Sequence, residues 1–297
     1  MKKYLTLLVL AMTMPLTCAC TAANPAASPR VVYQTVEMTP RIIHVTATPT
    51  PTLPPPTPVK TAIPNLGETC DEDGDVQTFN MDTSAPDESI RFQVYLPPCY
   101  EQQPAAYYPV VYLLHGAGRN ILSWNRNGAA ETANRLIRDG QVPPFILVTP
   151  NLFKVNDDKC ATVVRDLAPH VDGHFRTLPD PQYRAVGGAS SGGFIAACMS
   201  FQFPGQFGNV GVFGGGIFGE HTPRFNDWIT ATPPQQRPRV LIDLGAQDDM
   251  RPFTTVLTRT LTQRDVPYTL VIEPGGHSYE YWSSHLEMYY RWFAESW

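Results

Sequence analysis

The stretch Gly187-Gly188-Ala189-Ser190-Ser191-Gly192-Gly193 decides the fold of this 297-residue chain. The apolar run before it, residues 183–186, predicts a buried strand, and the run after it, residues 194–199, predicts the start of a buried helix. A serine on a sharp strand-to-helix turn needs small residues two positions away on either side. Gly188 and Gly192 meet that need around Ser190, so the stretch predicts a nucleophile elbow rather than an ordinary glycine-rich turn.

Apolar runs alternate with segments of helical spacing on both sides of the elbow. Strands are predicted at residues 90–96, 109–116, 145–149, 210–213, 240–244 and 268–273. Helices are predicted at residues 124–139, 160–174, 253–264 and 279–297. This alternation predicts an α/β fold, with a mostly parallel central sheet and helices on both of its faces.

The first 66 residues differ in composition from the rest of the chain. Residues 1–20 begin with two lysines and a short apolar run, which predicts a secretory signal peptide. Cys20, preceded by Ala, fits a bacterial lipoprotein cysteine better than Cys18; a plain secreted protein with a stray thiol is the alternative. Residues 21–66, rich in Pro and Thr, predict a disordered stalk, and residues 67–297 form the folded domain. We expect a secreted or cell-surface protein, lipid-anchored to a bacterial membrane.

The charge balance excludes one class of partner. The chain carries 22 Lys and Arg against 27 Asp and Glu, and no basic stripe interrupts the sequence. Nucleic-acid binding needs a concentrated positive surface, so we expect no nucleic-acid partner.

Residues after the elbow supply a base and an orienting acid for a nucleophilic serine. Three histidines follow the elbow in the chain: His221, His277 and His285. His277 comes directly after the last predicted strand, at the sheet edge where the elbow lies, and is the expected base. His285 is expected in the middle of the closing helix.

The orienting acid is expected after the strand at 240–244. Asp248 and Asp249 follow this strand, whereas Asp243 lies inside it and is the less favoured candidate. Position alone does not decide whether Asp248 or Asp249 is the acid.

Two backbone N–H groups are expected to bind an oxyanion. Ser191 stands at the N-terminus of the helix after the elbow, where the helix dipole favours negative charge. Ala117 lies in the loop 115–118 after an early strand, the usual source of the second donor. His115 is expected to shape this loop rather than to act as a base.

Several motifs together resemble the esterase D and feruloyl-esterase group of α/β-hydrolases, which also contains bacterial mycolyltransferases and enterochelin esterases. The matching stretches are residues 95–98, 112–116, 166–169, 188–193 and 275–282. The resemblance covers about residues 70–297 and implies an α/β-hydrolase fold and a serine esterase that uses Ser190 and His277. The family spacing from Gly245 selects Asp248 as the acid, which leaves Asp249 free to cap the helix that begins near Pro252.

The implied chemistry is hydrolysis of a carboxylic ester, from a small molecule or a saccharide, through an acyl-enzyme and without a metal or organic cofactor. Two alternatives remain open. The acyl group could pass to a sugar or wall component, or the domain could be a non-catalytic surface module with the same fold.

The four cysteines outside the N-terminal segment predict disulfides, for which three connectivities exist. Cys70 and Cys99 flank the first predicted strand and are the favoured pair. Cys160–Cys198 would be the second, although Cys198 is alternatively a buried thiol.

Aromatic residues near the predicted site allow two interpretations. Trp124, Tyr279, Tyr281 and Trp282 either line a substrate cleft or pack in the core.

Overall fold

A central nine-stranded sheet organises the described part of the chain. A computed structural model describes residues 41–45, 70–85, 88–152 and 157–297. The strands are β1 Arg41–Val45, β2 Asp75–Asp82, β3 Ser89–Leu96, β4 Val110–Leu114, β5 Ile146–Pro150, β6 Arg184–Ala189, β7 Asn209–Phe213, β8 Arg239–Gly245 and β9 Tyr268–Glu273. Their order across the sheet is β1-β9-β8-β7-β6-β4-β5-β3-β2.

Most neighbouring strands are parallel. The strands β5, β4, β6, β7, β8 and β9 pair in parallel. Antiparallel pairs occur only toward the two edges, between β2 and β3, between β3 and β5, and between β1 and β9. The carboxyl ends of the parallel strands therefore meet at one edge, and the segments after β6, β8 and β9 lie there together.

Helices cover both faces of the sheet. They are α1 Ser123–Arg126, α2 Ala129–Arg138, α3 Asp157–Thr162, α4 Ala168–His174, α5 Ser191–Gln202, α6 Thr222–Ala231, α7 Arg251–Gln263, α8 Tyr279–Ser284 and α9 Leu286–Ala294, with a π-helical turn at Val163–Leu167 that joins α3 to α4. Along β4, Val110, Tyr112 and Leu114 belong to one hydrophobic cluster, while Val111 and Leu113 belong to the other. Because both faces are apolar, β4 is a continuous hydrophobic run, and the predicted fold class is confirmed.

Two strands were absent from the sequence prediction. β2 alternates between exposed and half-buried positions and ends the sheet, so it lacks the apolar run that marks a buried strand. β1 lies inside the segment 21–66 that we expected to be disordered, and that expectation is wrong for residues 41–45. Its backbone pairs antiparallel with β9, from Arg41 opposite Ile272 to Val45 opposite Tyr268.

Two predicted helices are each divided in two. The helix expected at 124–139 is interrupted at Gly128, whose φ of 85° lies in the left-handed region that glycine adopts without steric cost. The helix expected at 279–297 is interrupted at His285, which ends α8 and begins α9. His285 is therefore a junction residue and not, as expected, a mid-helix one.

The cysteines form one disulfide and leave two free thiols among the residues described. Cys70 is bonded to Cys99, as the sequence predicted. Cys160 and Cys198 are both free and buried, so the predicted second disulfide is wrong. Burial raises the pKa of the Cys160 thiol to about 12, which keeps it protonated and unreactive.

Reducing the Cys70–Cys99 bond should destabilise the domain, because the bond restricts the unfolded chain. For a loop of this length the loss is about 3 kcal/mol in the free energy of unfolding. Urea unfolding with and without reductant measures it. The double variant Cys70→Ser/Cys99→Ser is the control, and reductant should not destabilise it further; an unchanged wild-type midpoint in reductant would contradict the prediction.

None of the described helices is long and apolar enough to cross a membrane. Residues 1–20, with Cys20, lie outside the described part of the chain.

Candidate active site

Ser190 occupies the tight turn between β6 and α5. Its φ of 56° and ψ of −119° place a non-glycine residue in a strained region. The turn is held by the N–H of Ser190, which donates to the carbonyl of Phe213 at 2.8 Å, and by the N–H of Gly193, which donates to the carbonyl of Ser190 at 3.0 Å. The surrounding backbone therefore holds the Ser190 side chain at the end of the sheet.

The glycines beside Ser190 are required by close backbone contacts. A Cβ atom at Gly188 would lie 2.5 Å from the carbonyl carbon of Gly192. A Cβ atom at Gly192 would lie 2.5 Å from the carbonyl oxygen of Leu114 in β4. Any other residue at either position would move the turn, which explains the G-x-S-x-G spacing in physical terms.

Ser190, His277 and Asp248 are joined in one chain of hydrogen bonds. His277 Nε2 lies 2.9 Å from Ser190 Oγ. His277 Nδ1 lies 3.0 Å from Asp248 Oδ1 and 3.1 Å from Oδ2. The structure thus brings together three residues that are predicted from the sequence and follow β6, β8 and β9. This arrangement can remove the hydroxyl proton of Ser190 and hold it on His277.

The electrostatics favour a protonated His277 once it has accepted that proton. The Asp248 side chain is 0% exposed, whereas His277 is 28% exposed. The hydrogen bond that His277 donates to Asp248 raises the pKa of His277, and this outweighs the opposing effect of partial burial. A buried carboxylate beside an accessible imidazole stabilises the imidazolium that forms during attack.

Asp248, not Asp249, faces His277. Asp249 is exposed, and its charge adds only the smallest contribution to the raised pKa of His277. Asp248 Oδ1 also accepts the N–H of Met250 at 2.8 Å, which fixes the carboxylate in the turn before α7. The expectation that Asp249 caps this helix is wrong, since the N-cap residue is Met250 and no side chain caps it.

The loops that carry Asp248 and His277 are hydrogen-bonded to each other. The N–H of Ala246 donates to the carbonyl of Glu273 at 2.7 Å, and the N–H of Gln247 donates to the carbonyl of Gly275 at 2.8 Å. In return, the N–H of Gly275 donates to Gln247 Oε1 at 2.8 Å. Gln247 therefore joins the two loops, a role that the local spacing of residues does not indicate.

The two expected oxyanion donors lie beside the elbow. Ser191 is the first residue of α5, so its N–H precedes the hydrogen-bonded turns of the helix. Ala117 is exposed in a turn that the N–H of Arg119 closes by donating to the carbonyl of Gly116 at 3.2 Å. A Cβ atom on Gly116 would lie 3.3 Å from Ser190 Cβ, so this turn passes next to the serine.

His115 holds the Ala117 turn in place, as expected. Its Nδ1–H donates to the carbonyl of Gly116 at 2.9 Å, and its Nε2 accepts the N–H of Leu152 at 2.9 Å. These bonds define a neutral imidazole, and burial lowers the pKa of His115 accordingly. His115 links the loops after β4 and β5 and takes no part in proton transfer.

The aromatic residues of the predicted cleft pack mostly inside the domain. Trp124 is 1% exposed and Trp282 is 2% exposed, so of the two interpretations core packing is the one that holds for these two residues. Their rings support the site from within: Trp282 meets His277 edge-on at 4.9 Å between centroids, and Trp124 meets Tyr279 at 5.3 Å. Tyr281 is buried as well, so Tyr279 alone of the four is partly exposed, and its hydroxyl accepts the N–H of Gly116 at 3.1 Å.

One group of residues in the described part of the chain has the composition of a metal site. Ligand atoms of Asp248, Asp249 and His277 lie within 4.8 Å of one another. Both ring nitrogens of His277 are already engaged, by Asp248 and by Ser190. The group is therefore better suited to proton transfer than to metal binding.

The raised pKa of His277 predicts the acidic side of the pH–rate profile. The base must be neutral to accept a proton, so kcat/KM should rise with pH through a pKa above the ordinary histidine value of about 6.5. Asp249→Asn removes one charge that raises this pKa and should shift the rise to slightly lower pH. A wild-type midpoint below the ordinary value would contradict the assignment.

The fold and this hydrogen-bond chain define an α/β-hydrolase with a serine-centred site. Residues 83–293 match the Esterase family model, described as "Putative esterase". The chain belongs to this esterase family, which confirms the resemblance inferred from its motifs.

Individual relatives agree with this assignment. An endo-1,4-beta-xylanase/feruloyl esterase of Xylanibacter ruminicola is 34% identical over 123 residues, which is 37% of this chain and 17% of that protein. The match thus spans less than a fifth of that relative's length.

Solved structures share the fold at low identity. A ferulic acid esterase superposes with a TM-score of 0.68 at 21% identity, over 76% of this chain and 99% of the other. The feruloyl esterase module from Clostridium thermocellum, complexed with sinapinate, gives 0.65 at 16%, over 85% and 95%. S-formylglutathione hydrolase from Staphylococcus aureus gives 0.62 at 16%, over 76% and 99%.

Proposed function

We propose that this protein is an exported esterase that hydrolyses hydroxycinnamoyl esters of carbohydrates, such as ferulate esters, through Ser190, His277 and Asp248. The observation that carries the catalytic part is the continuous hydrogen-bond chain from Ser190 Oγ to the buried Asp248 carboxylate. The substrate part is supported by the relative named a feruloyl esterase and by the fold shared with sinapinate-bound and ferulic acid esterases.

The geometry supports a two-step mechanism. Ser190 Oγ attacks the ester carbonyl while His277 Nε2 takes its proton, and the N–H groups of Ala117 and Ser191 stabilise the oxyanion. His277 then returns the proton to the departing alcohol, which leaves an acyl-enzyme on Ser190. Water, activated by His277, attacks the acyl-enzyme and releases the acid. Asp248 keeps the Nδ1 proton in place throughout.

A panel of esters tests the substrate class. Methyl ferulate, a feruloylated arabino-oligosaccharide, an acetylated xylo-oligosaccharide and S-formylglutathione are compared by kcat/KM, with Ser190→Ala as the blank. We expect the feruloylated saccharide to give the highest value. Higher values for the acetylated sugar or for the thioester would overturn the hydroxycinnamoyl proposal and leave the esterase assignment intact.

Two further measurements distinguish hydrolysis from its two alternatives. An acyltransferase would convert added free saccharide to a new ester faster than it releases free acid. A non-catalytic surface module would not react with a labelled fluorophosphonate probe. We expect release of free acid and labelling of Ser190.

Export and anchoring are proposals from residues 1–20. If Cys20 is acylated, detergent should be needed to release the native protein from membranes, and Cys20→Ser should release it without detergent. Cys18→Ser is the matched control and should leave the protein bound. An unmodified N-terminus on soluble wild-type protein would contradict the anchor.

A further inference from the structure

A second carboxylate–histidine cluster lies behind the catalytic loop. Asp243, near the end of β8, is fully buried and accepts three hydrogen bonds from side chains. Tyr281 Oη donates to it at 2.8 Å, His285 Nδ1 donates at 2.8 Å, and Tyr289 Oη also donates. No triad assignment uses these residues, although a buried carboxylate of this kind is costly unless it has such partners.

His285 links this carboxylate to a second one. Its Nε2 lies 3.1 Å from Glu273 Oε2, while its Nδ1 is bonded to Asp243. Each ring nitrogen therefore faces a carboxylate oxygen, and only the imidazolium can donate to both. The side chain of His285 is 11% exposed, so water does not readily replace either bond.

The cluster contacts the catalytic loop, residues 274–278, at both ends of that loop. Glu273 is the last residue of β9, immediately before residues 274–278, which carry His277. Tyr281 belongs to α8, immediately after that loop, and its ring packs on Gly275: a Cβ atom there would lie 2.2 Å from a ring carbon. The break between α8 and α9 at His285 lets its imidazole turn toward Asp243 and Glu273.

We propose that the Asp243–His285–Glu273 cluster, together with Tyr281, which packs on Gly275, positions His277 against Ser190 by fixing both ends of the catalytic loop. The proposal rests on the catalytic role of His277 proposed above. These are positioning residues, since none of them contacts the reacting atoms. A base that shifts by about 1 Å loses on the order of 10²-fold in rate, so a small movement of the loop is enough to matter.

The charge on His285 makes the arrangement dependent on pH. Burial lowers the pKa of His285, but the hydrogen bonds and charges of Asp243 and Glu273 raise it by more. The groups that face the cluster are Asp243 from β8, Glu273 from β9, Tyr281 from α8 and Tyr289 from α9. Burial raises the pKa values of both tyrosines far above the ordinary range, so they keep their protons.

The sign of the effect follows from the raised folded-state pKa. The charged imidazole of His285 stabilises the folded cluster. This stabilisation is fully present below the unfolded-state pKa of histidine and is lost as pH rises through the folded-state pKa of His285. Above that pH the neutral imidazole of His285 can donate to only one of the two carboxylates, Asp243 or Glu273. We therefore expect kcat to fall reversibly on the alkaline side, with KM little changed.

Two variants test the positioning role. His285→Gln can donate to only one of the two carboxylates, and Tyr281→Phe keeps the ring against Gly275 while it removes one donor to Asp243. Each should lower kcat about 10-fold with KM within twofold, and His285→Gln should also remove the alkaline decline. Tyr281→Phe keeps the proposal testable if His285→Gln does not fold.

The matched control is an ion pair at the other end of β6, in which Arg184 is buried and Asp172 is half-buried. Arg184 Nη2 lies 2.5 Å from Asp172 Oδ2, at the edge of the sheet away from Ser190. Asp172→Asn should lower the melting temperature but leave kcat and its pH profile unchanged. Wild-type kcat and an intact alkaline decline in His285→Gln, or an equal loss of kcat in Asp172→Asn, would overturn the positioning role. Fluorophosphonate labelling of wild-type Ser190 reports separately on whether the serine mechanism itself holds.

Discussion

Replacing Ser190 by alanine should lower kcat for an activated ester such as p-nitrophenyl acetate by at least about 10⁴-fold. The change removes the hydroxyl oxygen that lies 2.9 Å from His277 Nε2 and that His277 is placed to activate. The fold should persist, because the turn is held by backbone hydrogen bonds and by the flanking glycines. Initial rates, fluorophosphonate labelling and thermal melting by circular dichroism measure activity and fold together.

The neighbouring serine offers a matched control. Ser191→Ala keeps the backbone N–H at the start of α5 and removes a hydroxyl that is buried without a hydrogen-bond partner among the described residues. It should retain activity within a few-fold and should still be labelled. If Ser191→Ala is inactive while Ser190→Ala still hydrolyses the ester, the nucleophile has been assigned to the wrong residue.

Asp248→Asn should lower kcat by about 10⁴-fold with little change in melting temperature. The asparagine Oδ1 can still accept the N–H of Met250, so the turn before α7 survives. Its Nδ2 then faces His277 Nδ1 and donates to it. This fixes the tautomer with hydrogen on Nε2, which points a donor at Ser190 where an acceptor is needed.

Asp249→Asn is the natural comparison, since it makes the same change one residue further on. Asp249 is exposed and does not cap α7, so this variant should keep kcat at the pH optimum within a few-fold and keep its stability. Steady-state kinetics at several pH values, with the melting temperatures of both variants, decide whether Asp248 or Asp249 is the orienting acid. An inactive Asp249→Asn beside an active Asp248→Asn would move the acid by one residue.

The elbow and the base could be predicted from local sequence and strand order, whereas position left Asp248 and Asp249 open as the acid and the family resemblance selected Asp248. A serine on a strained turn needs glycines at fixed positions, and Gly188 and Gly192 appear in the sequence for that reason. Parallel strands bring the segments after β6, β8 and β9 to one edge, so the order of Ser190, Asp248 and His277 along the chain was informative.

The features that were missed depend on distant contacts. The Asp243–His285 bond joins residues 42 positions apart and became possible only where the closing helix breaks. The sequence left open whether Trp124 and Trp282 are buried, because their contacts with Tyr279 are not encoded in a local pattern. Likewise, β1 gains its hydrogen bonds from β9 at the far end of the chain, so the β-character of residues 41–45 could not by itself show that they join the sheet.

The antiparallel pairing of β1 with β9 determines how the domain responds to mechanical tension. A pull from the N-terminal side loads the Arg41–Ile272 pair first, and the ladder then opens one pair at a time. Beyond it the load reaches Cys70 and passes through the disulfide to Cys99, bypassing β2 and β3. Tension would therefore detach β1 first and uncover β9, the strand that leads into the His277 loop, so a pull on the N-terminal side would reach the candidate active site before it unfolds the rest of the sheet.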